Sequence, residues 1–347
     1  MDYNYLESIK DHAMDKKRHP SKHHRTNEKT RREFLRKSAL AGGCAAAAAA
    51  WGYLAYSDDP VYHPPKKIHS LKDFRIHEEL PFKGLVAVRG EDAYKMVEAA
   101  LKPFGGMERF IRPGDRVVIK PNVAWDRTPE QAANTNPDVV AAVVRHCIAA
   151  KAGKIIVTDV SCNDAYRCFS RSGIEQAALA AGGEVLFPRE DLFFPVDLKG
   201  EVLKVWPVFQ PFIEADKVIN LPVVKHHSLS RCTLAMKNWY GILGGRRNQL
   251  HQDIHASIVD LAAAMRPTLT IVDATRVLFR NGPTGGNVAD VKSLRTLVAG
   301  TDEVALDTYA SGFLDLKAED VPYLKMAETR GIGTTDIQNI PLEKISL

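Results

Sequence analysis

Short apolar segments alternate with segments of helical periodicity along most of this 347-residue chain. The apolar segments predict strands at residues 84–89, 116–119, 155–158, 184–187, 218–221, 269–272 and 294–298. Because most of them are followed by a loop and a helix, the expected fold is α/β, with a mainly parallel sheet and helices on both faces. Residues 188–208 interrupt the alternation with two β-like pieces, which predict a small hairpin at the sheet edge.

The N-terminal 57 residues predict a targeting signal rather than part of the fold. Residues 30–37 read TRREFLRK, which matches the twin-arginine export pattern, and the alanine-rich segment 38–57 follows. We expect this segment to engage the twin-arginine translocation machinery and then either to be cleaved or to stay as an anchor. Contact with a membrane is expected only through this segment. The protein is then periplasmic or on the outer face of the cytoplasmic membrane. Residues 58–82 predict a linker, and 83–347 a single domain.

Excess positive charge is confined to the leader. Residues 1–43 hold eleven Lys or Arg and six Asp or Glu, so the remaining 36 basic and 36 acidic residues balance. A neutral body gives no support for nucleic-acid binding. Export by this route favours a protein that folds before transport, often with a redox or metal cofactor.

One stretch of the body is locally basic. No carboxylate lies between Asp216 and Asp253, and the stretch contains six Lys or Arg and three His. These charges sit among apolar and turn residues, which favours an anion pocket over a solvated basic face. A helix is predicted around Leu229 to Leu243, and Gly241 weakens it beside Lys237 and Asn238. That helix face is expected to press on a ligand or on backbone.

Polar side chains follow four of the predicted strands. They are Lys120 and Asn122, Asp159 and Ser161, Lys225 to His227, and Asp273. Ligands of open parallel sheets bind at the carboxyl ends of the strands, so these residues are expected to share one cleft. A glycine-rich loop can add backbone N–H groups to it through Asn281, Gly282, Gly285 and Gly286.

Each group of the cleft has an expected role. The predicted catalytic residues, with His226 or His227 as general acid–base, are Lys225, His226, His227 and Asp273. The predicted ligand-binding residues are Lys120, Asn122, Lys237, Asn238 and the four loop residues. The predicted metal ligands are Asp159, His251 and His255. The two histidines stand four residues apart, with His255 in a helix predicted from 253 to 265 and His251 just before it. Capping or surface histidines are the alternative.

The five cysteines show no C-x-x-C spacing, so a ferredoxin-type cluster or a zinc ribbon lacks its usual pattern. An iron–sulfur site could use Cys162, Cys168 and Cys232, but a divalent metal is the cofactor favoured over it. Cys162 and Cys168 share a loop, and whether they pair stays open.

The body resembles the domain-of-unknown-function family 362 (DUF362). The resemblance covers residues 84–315 and rests on Lys120-Pro121-Asn122, NLPVVKHH, AMKNWYG, His251, IVDA with NGPTGG, and GTDEVALD. It implies an α/β fold and an association with redox proteins, since family members are often fused to ferredoxin-like modules. The sequence shows no such module.

These observations favour an exported enzyme that binds an anionic small molecule and performs redox or metal-assisted chemistry. One alternative is a non-catalytic periplasmic protein for anion or metal binding or for maturation. The other is a metal-dependent phosphoester hydrolase, although the dense Asp and His pattern of two-metal sites is missing.

Overall fold

The computed structural model describes residues 32–40, 42–43 and 67–347. The chain divides into two compact units, 1–64 and 65–347. In the first, residues 32–40 are helical and exposed. Most of the predicted signal and residues 58–66 of the predicted linker lie outside the described residues. None of the described helices has the length and hydropathy needed to cross a membrane.

Twelve strands are described in the second unit. They are β1 (Leu85–Arg89), β2 (Arg116–Pro121), β3 (Lys154–Val157), β4 (Glu184–Val185), β5 (Phe193–Asp197), β6 (Val205–Phe209), β7 (Lys217–Leu221), β8 (Val223–His227), β9 (Arg231–Thr233), β10 (Leu269–Leu278), β11 (Val291–Gly300) and β12 (Leu342–Ser346). The helices of this unit are α1 (Ala93–Leu101), α2 (Pro137–Ala149), α3 (Ala165–Arg171), α4 (Ile174–Ala180), α5 (Gln210–Glu214), α6 (Ala235–Asn238), α7 (Ile254–Met265), α8 (Glu303–Ser311) and α9 (Pro322–Thr329).

Ten of these strands form one mixed sheet in the order β12-β1-β11-β10-β7-β2-β3-β4, with β8 beside β10 and β9 beside β8. The β10, β7, β2, β3 and β4 neighbours are all parallel, whereas β11 runs antiparallel to β1 and β10. The expected α/β fold with a mainly parallel sheet is therefore confirmed. Strands β5 and β6 form the predicted hairpin, but as a two-stranded sheet of their own and not as part of the ten-stranded sheet.

Apolar side chains on the two faces of the sheet belong to two separate cores. In β2, Val118 packs into one core, while Val117 and Ile119 pack into the other. This alternation is the period of two expected for a strand that is buried on both sides. Helices α1 to α4 cover one face and α6 to α9 the other. Full burial of a Val or Ile stabilises the fold by about 1.5–3 kcal/mol, so each strand is held firmly between the two layers.

The segment between Leu229 and Leu243 is not the long helix that its apolar spacing predicts. Strands β8 and β9 form a hairpin there, with Lys225 opposite Thr233, and helix begins only at Ala235. The four residues of α6 lead into a 3₁₀ turn from Trp239 to Ile242. Helix propensity loses to strand pairing because β8 continues the sheet beside β10.

Residues 67–82 differ from a free linker. They contain almost no regular structure, yet Phe74 is 1% exposed in the core. Lys72 donates to the carbonyl oxygen of Ala215 at 2.8 Å, and Thr268 donates to that of Phe74 at 2.8 Å. The folded unit therefore begins well before residue 83.

Candidate functional site

A cavity of about 420 Å³ opens at the carboxyl ends of β2, β3 and β7 and beside the hairpin of β8 and β9. The side chains and backbone around it come from separate loops and strands. Its lining residues are Lys120, Asn122, Ala124, Trp125, Asp159, Val160, Cys162, Lys225, His227, Ser228, Thr233, Lys237, Asn238, Tyr240, Gly241, Arg247, Asn248, His251 and Pro283. Four of these are Lys or Arg, two are His, and only one is a carboxylate.

The single carboxylate is already paired. Lys120 Nζ lies 2.6 Å from Asp159 Oδ1, and both side chains are buried. The other oxygen of Asp159 accepts a hydrogen bond from the backbone N–H of Val123 at 2.6 Å. Because the pair neutralises itself, the surplus positive charge of the cavity comes from the remaining lysines and Arg247.

Lys225 lies at the base of the cavity without a carboxylate partner. Its Nζ donates to Asn122 Oδ1 at 2.8 Å and to the carbonyl oxygen of Ala133 at 2.6 Å. Burial, with a smaller contribution from the charge of Lys237, lowers the pKa of Lys225 to about 7. Both acceptors are neutral, so neither compensates a charge on this amine.

Lys237 and Thr233 are buried polar groups with no acceptor or donor in the described part of the chain. Lys237 is 7% exposed, and its Nζ contacts only the ring of Tyr240, at 4.4 Å from the centroid. Thr233 is 4% exposed, and its Oγ1 has no hydrogen-bond partner. Burial lowers the pKa of Lys237 to about 8. An unpaired buried polar group costs about 1–3 kcal/mol, and both of these face a cavity that a ligand could fill.

The proton of His227 is assigned by the backbone. Its Nδ1 accepts the N–H groups of Leu229 at 3.1 Å and Ser230 at 3.3 Å. The lone pair must therefore be on Nδ1, which leaves the proton on Nε2. Burial, followed by the charges of Lys237 and Lys225, lowers the pKa of His227 to about 2. His227 is thus a neutral hydrogen-bond donor at neutral pH, which does not favour the acid–base role predicted from the sequence.

His251 has the opposite tautomer. Its Nδ1 lies 3.2 Å from the carbonyl oxygen of Asn248, which can only accept, so Nε2 holds the lone pair. The rings of His251 and His227 stack with centroids 6.4 Å apart. Burial and Lys237 lower the pKa of His251, so the neutral form prevails at neutral pH and His251 can take up a proton.

Asn238 connects the buried polar side chains at the base of the cavity through hydrogen bonds. Its Oδ1 accepts from Lys120 Nζ at 3.2 Å and from Asn122 Nδ2 at 2.9 Å. Its Nδ2 donates to Asn220 Oδ1 at 2.8 Å. The short helix α6 that holds Asn238 and Lys237 is fixed at its start, where both oxygens of Asp307 accept the N–H groups of residues 235 and 236.

Several predicted site residues lie elsewhere. Asp273 is in the interior of β10, which continues to Leu278, and it accepts from Asn136 N and from the N–H and hydroxyl of Thr275. His226 contacts the carbonyl oxygen of Gly282 through Nδ1 at 3.3 Å and does not line the cavity. The prediction that either residue is catalytic is not supported by this geometry.

The glycine-rich loop contributes only Pro283 to the cavity lining. Asn281 donates to Asp290 Oδ2 at 2.8 Å, and a Cβ on Gly282 would overlap the backbone of His226. Gly285 and Gly286 have φ angles of 57° and 132°, which suit glycine, and pack near Leu278 and Arg127. The loop is therefore a wall beside the hairpin rather than a phosphate cradle.

The predicted metal ligands are not gathered. Within the described residues no group of three His, Cys, Asp or Glu side chains could hold a metal ion. Asp159 is engaged by Lys120, His251 lies in a 3₁₀ turn ahead of α7, and the ring of His255 stacks on Tyr323 at 6.3 Å. The turn breaks the i, i+4 relation that a single helix would have given the two histidines.

The cysteines proposed for a disulfide or a cluster are also separate. Cys162 is exposed and lines the cavity, whereas Cys168 and Cys232 are buried, and all three are free thiols. Cys232 Sγ lies 3.3 Å from the hydroxyl of Tyr323.

Sequence reasoning missed several lining residues. Arg247 donates to the carbonyl oxygens of Val160 and Ser161 at 2.7 Å and ties the loop after β3 to the segment before α7. The other residues missed are Trp125, Ser228, Thr233, Tyr240 and Asn248. The charge pattern indicated Arg247, but the hairpin that brings Thr233 beside Lys225 was hidden by the predicted helix.

The cavity lies wholly within the part of the chain that matches a known family. A family profile described as "Domain of unknown function (DUF362)" matches residues 117–312, more than half of the chain. The chain belongs to the DUF362 family. That membership confirms the resemblance based on the strand-end motifs.

Among curated proteins, the chain is similar to the thylakoid-associated protein sll1697 of Synechocystis sp.. The two are 29% identical over 252 residues, which cover 68% of this chain and 74% of the relative. Among solved structures, it is similar to the lactate racemase apoprotein from Thermoanaerobacterium thermosaccharolyticum, at 11% identity and a TM-score of 0.38, over 72% of this chain and 61% of that one.

A structural-genomics protein from Thermotoga maritima matches at 10% identity and a TM-score of 0.34, over 70% of this chain and 60% of that one. The chain thus spans about three fifths of the length of these two solved proteins.

Proposed function

We propose that this DUF362 member binds an anionic small molecule in the cavity and acts on it by proton transfer. The observation that carries the proposal is Lys237, a buried cation that has no acceptor among the described residues. An anionic oxygen placed against Lys237 would supply that acceptor. Thr233 Oγ1 and the Nε2–H of His227 are further donors on the same cavity wall.

The walls define the rest of the ligand. Trp125, Tyr240 and Val160 offer apolar surface, and about 420 Å³ is enough for a small organic acid or phosphate rather than a polymer. Within the described residues, His251 is the lining histidine whose Nε2 holds a lone pair, so it is the proposed base. Lys237, with a pKa lowered to about 8 by burial, is the proposed acid.

The test is anion binding by the purified protein and its Lys237→Met variant. Phosphate, lactate and pyruvate are titrated by calorimetry and by thermal shift. Removal of one charge-assisted hydrogen bond costs about 1.5–3 kcal/mol, so the variant is expected to bind roughly 10- to 100-fold more weakly. Lys95→Met, which changes an exposed lysine far from the cavity, is the matched control. Equal affinity of both variants would contradict the assignment.

A non-catalytic binder remains the second candidate because the same groups suit capture as well as turnover. His251→Ala separates the two, since it should abolish turnover of a bound anion while it leaves affinity within a few fold. If the unmodified protein binds an anion but does not convert it into another compound, the non-catalytic binding function is favoured. Metal ligation is assigned no residues, since within the described residues no group of three His, Cys, Asp or Glu side chains could hold a metal ion.

Export is proposed on the motif TRREFLRK alone. The paired arginines are the feature that the twin-arginine machinery requires, and the alanine-rich segment after them suits that route. Replacing Arg31 and Arg32 by lysines should hold the protein in the cytoplasm, as measured by cell fractionation. Unchanged export of the double-lysine variant would rule out this route.

A further inference from the structure

Lys225 has the hydrogen-bond environment of a neutral amine. Its Nζ has two acceptors, Asn122 Oδ1 at 2.8 Å and Ala133 O at 2.6 Å, and no carboxylate lies within ion-pair distance of it in the described chain. An ammonium has three hydrogens to place, whereas a neutral amine has two. With both hydrogens on those oxygens, the lone pair of the nitrogen is left unengaged in a group that lines the cavity.

The hairpin places suitable partners around this amine. Thr233 is the cross-strand partner of Lys225, and His227 follows two residues later on the same face of β8. Thr233 Oγ1 has no hydrogen-bond partner, and His227 offers its Nε2–H. Both donors line the same cavity as the amine, where they are available to a carbonyl oxygen of a ligand. Lys237, in the same cavity, can hold a carboxylate on that molecule.

We infer that Lys225 is a nucleophile that forms a Schiff base with a carbonyl-bearing organic anion, that is, an aldehyde or ketone acid. The inference rests on the proposed anion binding and narrows its ligand class. Lysines become nucleophilic when they are desolvated and lie near a second cation, and Lys225 meets both conditions. Burial and the neighbouring charge of Lys237 keep its pKa about 7, so a large neutral fraction exists at neutral pH.

The step balances without any oxidant or reductant. The Lys225 lone pair attacks the carbonyl carbon, the C–N bond forms, and the π electrons move to the oxygen. The oxygen takes a proton from the Lys237 ammonium, which recovers one from the amine nitrogen. The C–O bond then breaks, both amine hydrogens leave with the oxygen as water, and a C=N bond remains.

Borohydride trapping tests the inference on the full chain. The protein is mixed with glyoxylate or pyruvate and reduced, and the modified lysine is located by peptide mass mapping. We expect one adduct per chain at Lys225, at least tenfold above the labelling of exposed lysines such as Lys95. Lys225→Arg should lose the adduct and still be stabilised by the anion. Because the map of the unmodified protein locates the adduct, the test does not depend on the folding of that variant.

The outcomes separate this inference from the function on which it rests. If lactate and pyruvate both raise the melting temperature but no adduct forms at Lys225, the Schiff base is overturned and anion binding stands. Equal labelling of Lys95 and Lys225 overturns it as well. If no anion shifts the melting temperature, the proposed function fails first. Lys237→Met should reduce trapping of glyoxylate more than trapping of the uncharged probe formaldehyde, and equal loss of both would contradict a contact between Lys237 and the carboxylate.

Discussion

Lys225 and Glu303 are the two ends of one chain of hydrogen bonds that passes through three asparagine side chains. Lys225 Nζ donates to Asn122 Oδ1, Asn122 Nδ2 to Asn238 Oδ1, Asn238 Nδ2 to Asn220 Oδ1, and Asn220 Nδ2 to Glu303 Oε1. The distances are 2.8, 2.9, 2.8 and 2.6 Å. All three amides point in the same direction, so each one polarises the next.

Two backbone carbonyls fix that direction. Asn238 Nδ2 also donates to Lys120 O at 3.2 Å, and Asn220 Nδ2 to Ala235 O at 2.9 Å. Since a carbonyl oxygen can only accept, neither amide can be turned over. The buried carboxylate of Glu303 is thereby coupled, through the three amides, to the amine of Lys225 at the base of the cavity.

Glu303→Gln should disturb both stability and the titration of Lys225. Glu303 accepts from Trp239 Nε1 at 2.8 Å through one carboxylate oxygen and from Asn220 through the other. A glutamine side chain has only one oxygen, so it cannot accept from both donors in this way. We expect a loss of about 1–3 kcal/mol in the free energy of unfolding. The pH midpoint of anion-dependent stabilisation should move down because the acceptor chain toward Lys225 loses its terminal charge.

The control for that experiment is Glu319→Gln, on an exposed glutamate that only approaches Lys317 at 4.0 Å. Surface changes of this kind stay within about 0.5 kcal/mol. Denaturant unfolding at several pH values, with and without phosphate, measures both quantities. A stability loss in Glu303→Gln with an unmoved midpoint would mean that the amide chain is purely structural.

Gly241 permits the close approach of backbone to the Lys120–Asp159 pair. A Cβ at this position would overlap Asp159 Oδ1 and lie 2.7 Å from Lys120 Nζ. Gly241→Ala is therefore expected to cost about 1–3 kcal/mol of stability and to weaken phosphate binding at least tenfold. Gly312→Ala is the matched control, since a Cβ there meets nothing within 4 Å and its φ is −60°. Equal behaviour of the two variants in thermal unfolding and calorimetry would contradict this role.

The sequence predicts part of this site because some of its residues lie at the carboxyl ends of parallel strands, where ligands of such sheets bind. Polar residues at the carboxyl ends of β2 and β3, namely Lys120, Asn122 and Asp159, meet because the carboxyl ends of parallel strands share an edge. The same rule fails for Asp273, since β10 runs on to Leu278 in its pairing with β11. Strand length depends on a partner far away in the chain, and no local pattern reports it.

The remaining features arise from tertiary contacts. Glu303 reaches Asn220 across 83 positions, and Thr233 faces Lys225 only because residues 223–233 fold as a hairpin. Local periodicity favours a helix there, and the sheet overrides that preference. The fold class follows from repeating patterns, whereas the position of each donor in the cavity follows from pairing that only the folded chain shows.

The site lysines predict an unusual pH dependence of stability. Lys225 and Lys237 have pKa values of about 7 and about 8 in the folded state, lowered by burial from 10.5. Below pH 7 both are charged in the folded and unfolded chains, and the folded chain bears the full cost of burying them. Between pH 7 and 10.5 the unfolded chain holds more protons, so the free energy of unfolding rises with pH, by an amount on the order of a few kcal/mol.

Lys225→Met should flatten this rise and be more stable than the unmodified protein at pH 7. Saturating phosphate should flatten it too, because a bound anion keeps Lys237 protonated. Lys95→Met should leave the slope unchanged. The titration of Glu303, whose pKa burial raises to about 7, decreases stability mainly below this window and does not obscure it. Denaturant unfolding from pH 7 to 9.5 measures the slope, and a slope that Lys225→Met leaves intact would refute the assignment.

The two ring nitrogens of His227 can be tested separately. Asparagine places its oxygen near the position of Nδ1 and keeps an acceptor for the N–H groups of Leu229 and Ser230, but it has no distal N–H. Glutamine places an N–H near Nε2 and loses the acceptor. His227→Asn is therefore expected to keep stability within about 1 kcal/mol and to weaken anion binding roughly 5- to 30-fold.

His227→Gln should do the reverse, with near-normal affinity and a loss of about 1–3 kcal/mol in unfolding free energy. Neither variant should move the pH midpoint of anion binding, because burial keeps the pKa of His227 at about 2 and the ring stays neutral throughout. Calorimetry from pH 6 to 9 measures affinity and midpoint together. A midpoint that shifts in His227→Asn would show that this ring exchanges a proton with the ligand, and the donor role would then be wrong.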